Sequence, residues 1–391
     1  MIAPASNPSY GYGDGRLSVW RASWRDRLSG DRARANARLG YLRSPVGDGK
    51  VLWIKSGGSR PSVRLGLELL GAIRDKRLDL RIALTFEQDY RDLIEPRVRG
   101  LRKIGLGYGP ADLPAIARRT LKRLSPLGLI LADAHPSPNL LASAASRSVR
   151  LIAFNTEPNS VPVEAAYPRD AAQHERWARS GLAGHLAPAA DPFSLFTESQ
   201  VDVTLKTLVR AGRELELWWW LGPRRELAAF ASAWRGSALA ESGLLFVSDL
   251  EELDERKTSP VGVDLRISAW DRRGLAAGSV VWVDTPSWQP AVSSAALAAH
   301  CTGLDRAQLW DCLTGGPAVS ASEPVRASFP ALAGCAEPID SAEGILTYWM
   351  RLASEPIRAR QAGDRCRRAV WDERRRVQTV LPELLQRVFD W

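Results

Sequence analysis

The sequence predicts an α/β fold: two Rossmann-like domains facing a cleft. Three observations carry that expectation. Short apolar runs of strand length recur in both halves, with helical patterns between them, and such alternation belongs to parallel sheets covered by helices on both faces. A chain of 391 residues can bury two cores of ordinary domain size. Its 45% apolar and 25% charged residues are those of a globular chain.

The elements follow in order. Residues 1–33 read as a flexible leader and a basic amphipathic segment, of which 1–15, rich in Gly, Pro and Ser, form the disordered part. Leu17, Trp20, Trp24 and Leu28 then recur at helical spacing with Arg16, Arg21, Arg25 and Arg27 beside them. That makeup fits an interfacial membrane helix, and equally a stripe packed on the domain body or the carboxy-terminal helix. The first domain spans 34–210, with strands expected at 50–55, 80–85, 127–132 and 150–154 and helices at 62–76, 88–98 and 111–124. Gly107, Gly109 and Pro110 mark a turn, and Asp112 is expected to cap the helix whose apolar face is Leu113, Ile116, Ala117, Leu121 and Leu124. Residues 155–195 look irregular apart from a helix near 170–180, and 194–200 reads as a strand and turn. The second domain spans 211–375, with strands at 215–221, 243–247, 264–267, 280–283, 296–301 and 317–321. Its helices fall at 223–235, 288–298, 305–314, 341–353 and 355–388, and residues 376–391 are taken as a carboxy-terminal helix. Trp218, Trp219 and Trp220 sit on a buried strand, where core packing explains them.

Charge and cysteine usage narrow the function classes. Residues 1–127 hold 25 Lys/Arg against 12 Asp/Glu, and the remainder holds 28 against 32. A basic half attracts phosphorylated lipid headgroups and anionic membrane. Nucleic acid is not expected, since zinc-finger spacing, an RNP motif and a basic recognition helix are all missing. Cys301, Cys312, Cys335 and Cys366 form no C-x-x-C, so they read as buried thiols rather than metal ligands, and no metal or other cofactor is expected. Residues 1–16 lack the apolar core of a secretory signal, and no apolar run reaches membrane-spanning length. The absence of G-x-x-x-x-G-K-S/T excludes a Walker loop, and no G-x-S-x-G elbow appears.

A family resemblance rests on several segments. Residues 107–139, GYGPADLPAIARRTLKRLSPLGLILADAHPSPN, together with RANARLGYLR (34–43), VLWIKSGGS (51–59), LIAFNTEPNS (151–160), LELWWWLGPRREL (215–227) and VVWVDTPSWQPAVSSAALAAHCTG (280–303), resemble the Kdo transferases in the same order. Those enzymes move 3-deoxy-D-manno-octulosonic acid from its CMP-activated form onto lipid A precursors. The resemblance implies the two-domain GT-B architecture, a CMP-sugar donor, a lipid A-type or related glycan acceptor, and a place at the cytoplasmic face of the inner membrane. It also shows departures. The family's first loop reads S-V-G-E, with the Glu as general base; here it is Ser56-Gly57-Gly58-Ser59-Arg60-Pro61-Ser62, without a carboxylate. The family's E-T-E-L-W ahead of Pro-Asn is replaced by Asp133 and His135 at the two Glu positions, while Pro138-Asn139 remain. The N-P-L-E-P segment is replaced by residues 301–319, without its Glu.

Sugar transfer needs a base for the acceptor hydroxyl and dipolar or positive groups for the departing phosphate. Asp133 and His135, after the 127–132 strand, are the candidate catalytic residues, since ligands collect at the carboxyl ends of parallel strands. A turn cap for Asp133 and a loop hydrogen bond for His135 are the plainer alternatives. The acceptor side is assigned to Ser56, Gly57, Gly58, Ser59, Arg60, Asn139 and Asn155. Gly57-Gly58 permits close backbone approach or simply turns the chain, and Asn139 caps or pins the next helix. The donor side is assigned to Gly222, Arg224, Arg225, Thr302, Asp305 and Gln308. Arg224 and Arg225 suit a phosphate, or the solvated start of a helix, and Glu157 and Asp284 are further carboxylates near strand ends. Two functions result: a Kdo-transferase-like glycosyltransferase, or a catalytically degenerate relative that binds or scaffolds in envelope glycan synthesis.

Overall fold

A computed structural model of the chain describes residues 15–135, 137–197, 202, 205, 215–249, 260–272, 274–303 and 305–391. It divides into two compact units, one reaching Pro192 and including Arg376–Trp391, the other Phe193–Arg375. The division therefore falls at 192/193, not at 210/211. The cause is local: Arg374 donates to the Ser194 carbonyl at 2.9 Å and the Thr197 carbonyl at 2.7 Å, and Thr314 Oγ1 lies 2.7 Å from Thr197 Oγ1. Those bonds tie the start of the connection to the second unit. The strand expected from 194 is instead a 3-10 turn, Pro192–Phe196, and residues 198–200 lie outside the described residues. The leader expected over 1–15 is likewise outside, apart from Gly15.

The first unit runs α1 (Arg16–Leu28), α2 (Arg32–Arg38), β1 (Val51–Ser56), α3 (Arg60–Lys76), β2 (Arg81–Phe86), α4 (Arg91–Val98), β3 (Ile104–Tyr108), α5 (Pro114–Leu124), β4 (Pro126–Ala132), α6 (Pro138–Ala145), β5 (Arg150–Phe154), β6 (Val163–Tyr167), α7 (Ala171–Ser180) and β7 (Ala183–Leu186). The strands form one seven-stranded sheet in the order β3-β2-β1-β4-β5-β6-β7, parallel throughout. Three strands go beyond the sequence expectation. Gly107, expected in a turn, lies instead in β3, which pairs along β2, and β6 and β7 occupy part of the stretch expected to be irregular. The start of α5 also differs. Its N-cap is Leu113, with Pro114 opening the helix, while the Asp112 carboxylate accepts from the backbone N–H of Asn139 at 3.2 Å and Leu140 at 2.9 Å. Asp112 thus satisfies the orphan donors of α6 from a neighbouring loop.

The second unit runs β8 (Glu216–Gly222), α8 (Arg224–Arg235), β9 (Gly243–Asp249), β10 (Leu265–Arg266), β11 (Val280–Trp282), α9 (Gln289–Ala295), β12 (Ala298–Cys301), α10 (Arg306–Gly315), β13 (Ala318–Ala321), α11 (Glu323–Ser328), β14 (Glu337–Pro338), α12 (Ala342–Ser354) and α13 (Pro356–Phe389), whose last residues belong to the first unit. Its sheet has the order β10-β11-β9-β8-β12-β13-β14 and is again parallel. The tryptophan run of β8 is core, and the two-residue period of a strand decides which way each ring faces. Trp218 stacks on Trp349 of α12 at 5.2 Å and Trp220 on Phe230 of α8 at 5.7 Å, whereas Trp219 donates to Ser248 Oγ at 2.9 Å on the other face. Both units are therefore doubly wound Rossmann-like domains. In each, strand order reverses at one point: between β1 and β4, and between β8 and β12. Crevices at such points are where open α/β sheets take ligands.

Candidate active site

In the first unit, the registers place the carboxyl ends of β1 and β4 side by side, with Ser56 opposite Ala132. The loop after β1 and the residue after β4 then touch. A Cβ on Gly57 would lie 2.3 Å from the Asp133 carbonyl oxygen, so only glycine fits there. Asp133 sits at φ +50°, a left-handed conformation that Asp adopts more readily than bulkier residues. Its amide donates to the Phe154 carbonyl at 2.8 Å, and its carboxylate accepts from the Ser62 hydroxyl in the first turn of α3. Ser62 Oγ also pairs with Ser59 Oγ, and Ser59 caps α3 by accepting from the Ser62 amide. Ser59, Ser62 and Asp133 thus form one hydrogen-bonded cradle at the β1–β4 switch point, packed against Gly57.

Other expected residues are placed differently. The Ser56 hydroxyl is buried against Gly66 of α3, where a Cβ would come within 2.0 Å, so it turns from the loop surface into the helix. Arg60 grips Asp92 with both terminal nitrogens and lies over the Tyr90 ring at 5.8 Å; the guanidinium holds the Asp92 carboxyl below its ordinary range. The Asn139 amide donates to the Asp112 carbonyl at 3.0 Å, pinning the loop before α5. Asn155, left-handed at φ +53°, is buried; its Oδ1 accepts from Arg169 at 3.4 Å and its Nδ2 has no partner among the described residues. His135 is exposed in the loop, away from the cradle's hydrogen bonds. Glu157 is committed to Arg176 through bonds of 2.7 and 2.8 Å; burial pushes its carboxyl up, but the hydrogen bond and charge of Arg176 outweigh that and hold it low.

Two residues at this sheet end escaped the sequence reading. Lys55, penultimate in β1, is almost completely buried, and its Nζ lies 3.7 Å from Oε1 of Glu87, the residue after β2. The other oxygen, Oε2, would be 3.1 Å from a Cβ on Gly58. The signal was present: a lysine inside an apolar strand must find an opposite charge, and the next strand ends in Glu87.

In the second unit, Gly222 closes β8 with no room for a side chain: a Cβ would meet Thr302 Oγ1 at 2.1 Å. Thr302 Oγ1 and Gln308 Oε1 are buried without hydrogen-bond partners among the described residues. Arg224 opens α8 and lies over Trp282 at 5.5 Å, its Nη1 4.0 Å from Asp249; Arg266, at the end of β10, lies over the same ring at 5.3 Å. Trp282, Asp249 and Arg266 were not anticipated, because each looks like an ordinary strand end. Arg225 is exposed beside Glu226. Asp305 caps α10, accepting from Ala307 and Gln308 amides at 2.9 and 3.1 Å, and burial raises its carboxyl. Asp284 accepts from the Ser268 amide and hydroxyl and so holds the 267–269 turn. Among the described residues, no three His, Cys, Asp or Glu side chains gather as metal ligands would.

Comparison with known proteins agrees with this layout. Residues 33–160 match the family model described as 3-deoxy-D-manno-octulosonic-acid transferase (kdotransferase). No curated protein sequence matches the chain. Among solved structures, sucrose-phosphate synthase of Thermosynechococcus elongatus is similar at 12% identity and a TM-score of 0.55, covering 87% of this chain and 99% of that one. Anabaena HepE in complex with UDP is similar at 11% identity and 0.53, covering 86% and 99%. The UDP-GlcNAc 2-epimerase of Neisseria meningitidis bound to UDP-GlcNAc is similar at 11% and 0.51, covering 85% and 100%. At these identities the likeness is one of fold.

Proposed function

We propose, from the match of residues 33–160 to the Kdo transferase family model, that the chain is a glycosyltransferase moving a sugar from a CMP-activated donor to a lipid A-type or related envelope glycan acceptor. The observation that carries the reading is the β1–β4 switch point, where Gly57 lets the loop pack directly on the Asp133 backbone and the Ser62 hydroxyl fixes that carboxylate. A polyhydroxylated acceptor needs such fixed carboxylates to orient one hydroxyl among several. On the donor side, Arg224, at the first turn of α8, offers a guanidinium and a helix N-terminus together, a combination suited to phosphate. The solved structures with bound UDP and UDP-GlcNAc support a nucleotide-sugar donor for this fold. The loss of the family's loop Glu from residues 56–62 favours a second reading, a relative that binds without turnover.

The test is direct. Purified protein is incubated with CMP-Kdo and a tetraacylated lipid A precursor, with product followed by mass spectrometry and CMP-Kdo binding by calorimetry. Product formation is expected, with Asp133→Asn lowering kcat by about tenfold or more. Binding without product selects the second reading. Neither binding nor product removes both.

A further inference from the structure

The loop after β1 lacks a carboxylate of its own, yet one reaches its surface from the adjoining strand. Glu87 follows β2, the immediate neighbour of β1, so its side chain issues from the same carboxyl end of the sheet as the cradle. It lies against Gly58, where a Cβ would meet Oε2 at 3.1 Å and the Glu87 Cβ at 3.5 Å. The missing Gly58 side chain is therefore the space that lets the carboxylate in. Read from Ser56, the family's S-V-G-E puts its Glu at Ser59, next to Gly58. In this chain Ser59 caps α3 instead.

Two carboxylates flank the Gly57-Gly58 loop, and their surroundings differ. Asp133 accepts from Ser62 and is fixed by that bond. Glu87 accepts no hydrogen bond among the described residues; its buried Oε1 has only the Lys55 ammonium, at 3.7 Å. A carboxylate with unused lone pairs can accept a proton, and the nearby ammonium holds it in place. Lys55 in turn has a reason to be inside an apolar strand.

Resting on the sugar-transfer reading above, we propose that Glu87 is the base of the reaction, with Lys55 as its positioning residue and Asp133 orienting the loop. Glu87 takes the proton from the attacking acceptor hydroxyl. The hydroxyl oxygen forms the new bond to the anomeric carbon. The bond from that carbon to the nucleotide phosphate breaks, its electron pair leaving on the phosphate oxygen, and Glu87 passes the proton to solvent.

The experiment uses the full chain with the CMP-Kdo and lipid A precursor pair. Glu87→Gln is expected to lower kcat by about a hundredfold or more while KM stays within about threefold. Lys55→Met is expected to lower kcat by about tenfold with KM within about threefold, and Lys55→Arg to recover most of that loss; a merely structural lysine would change the thermal midpoint without that split. Thermal unfolding is measured for each variant. Should Glu87→Gln fail to fold, Glu87→Asp substitutes, and a loss of about tenfold or more in kcat at unchanged KM is then expected. Wild-type turnover that survives in Glu87→Gln or Glu87→Asp within threefold overturns the base and leaves the sugar-transfer reading standing. A wild type that makes no product overturns the transfer reading and the base with it.

Discussion

His300 shows how far burial governs single residues in this chain. It lies in β12 between β8 and β13, fully enclosed, with Nδ1 2.9 Å from Ser320 Oγ and no partner for Nε2 among the described residues. Burial alone pushes its pKa down from 6.5 to about 3. The folded protein therefore keeps this imidazole neutral across the range in which an unfolded chain protonates it. Stability due to His300 is complete above pH 6.5 and declines as pH falls toward 3, because only the unfolded state takes up the proton there. The loss amounts to about 2 kcal/mol at pH 5. Urea midpoints of the wild type and His300→Asn, measured at pH 8 and pH 5, should show that slope in the wild type and a shallower one in the variant. Equal slopes would mean that the imidazole is reached by protons in the folded state. Glu87 and Asp133 illustrate the same rule at the site: what each carboxylate can do depends on whether a hydroxyl or an ammonium faces it.

At the scale of elements, packing decides what propensity left open. Gly128 in β4 is covered by the Trp391 ring, and a Cβ there would come within 2.1 Å of it; Trp391 Nε1 donates to Glu164 at 3.2 Å. With Arg77 donating to the Phe389 carbonyl at 2.7 Å, the end of α13 is fastened to the first unit's sheet. Gly128→Ala should cost about 1–3 kcal/mol in urea unfolding, as overpacking does. The same change on a Trp391→Ala background should cost much less. Equal costs on both backgrounds would show that the strand itself, not the ring, demands glycine. These contacts also explain what the sequence could convey. Apolar strands such as VLWIKS and LELWWWLG announce themselves, and α3, α5 and α12 carry clear helical spacing. β3 did not, because two of its five residues are glycine and its place is an edge; β6 and β7 did not, because they are short and carry alanine and glycine, both weak strand formers. Close backbone approach was legible at Gly57 and Gly222. The site was hidden where tertiary contact dictates it: Ser56 turned into α3, Asp305 spent on capping, Glu87 brought in from another strand.

Across the whole molecule, charge and apolar exposure converge on the first helix. Positive charge is concentrated in residues 1–127, and α1 adds an aromatic stripe that stands exposed among the described residues. Its Val19 and Ser23 are buried against the body, the latter through a bond from Ser23 Oγ to the Ala35 carbonyl. Leu17, Trp20, Trp24 and Leu28 are 73, 55, 49 and 79% exposed, with the two indoles 5.7 Å apart. Arg16, Arg21, Arg25 and Arg27 border the stripe. Among the described residues no helix is long and apolar enough to cross a membrane; we propose this stripe as the surface for peripheral contact with a bilayer. Indoles favour the headgroup region, and arginines beside them each contribute roughly 1 kcal/mol near anionic lipid. The protein should therefore sediment with vesicles containing phosphatidylglycerol and not with pure phosphatidylcholine, and 0.5 M salt should release part of it by screening. Trp20→Ser with Trp24→Ser should abolish pelleting while leaving the thermal midpoint within about 2 °C, since both rings stand in solvent. Wild type that stays in the supernatant with anionic vesicles, or a double variant that pellets as well as wild type, would remove α1 as the attachment surface and leave its stripe to a protein partner.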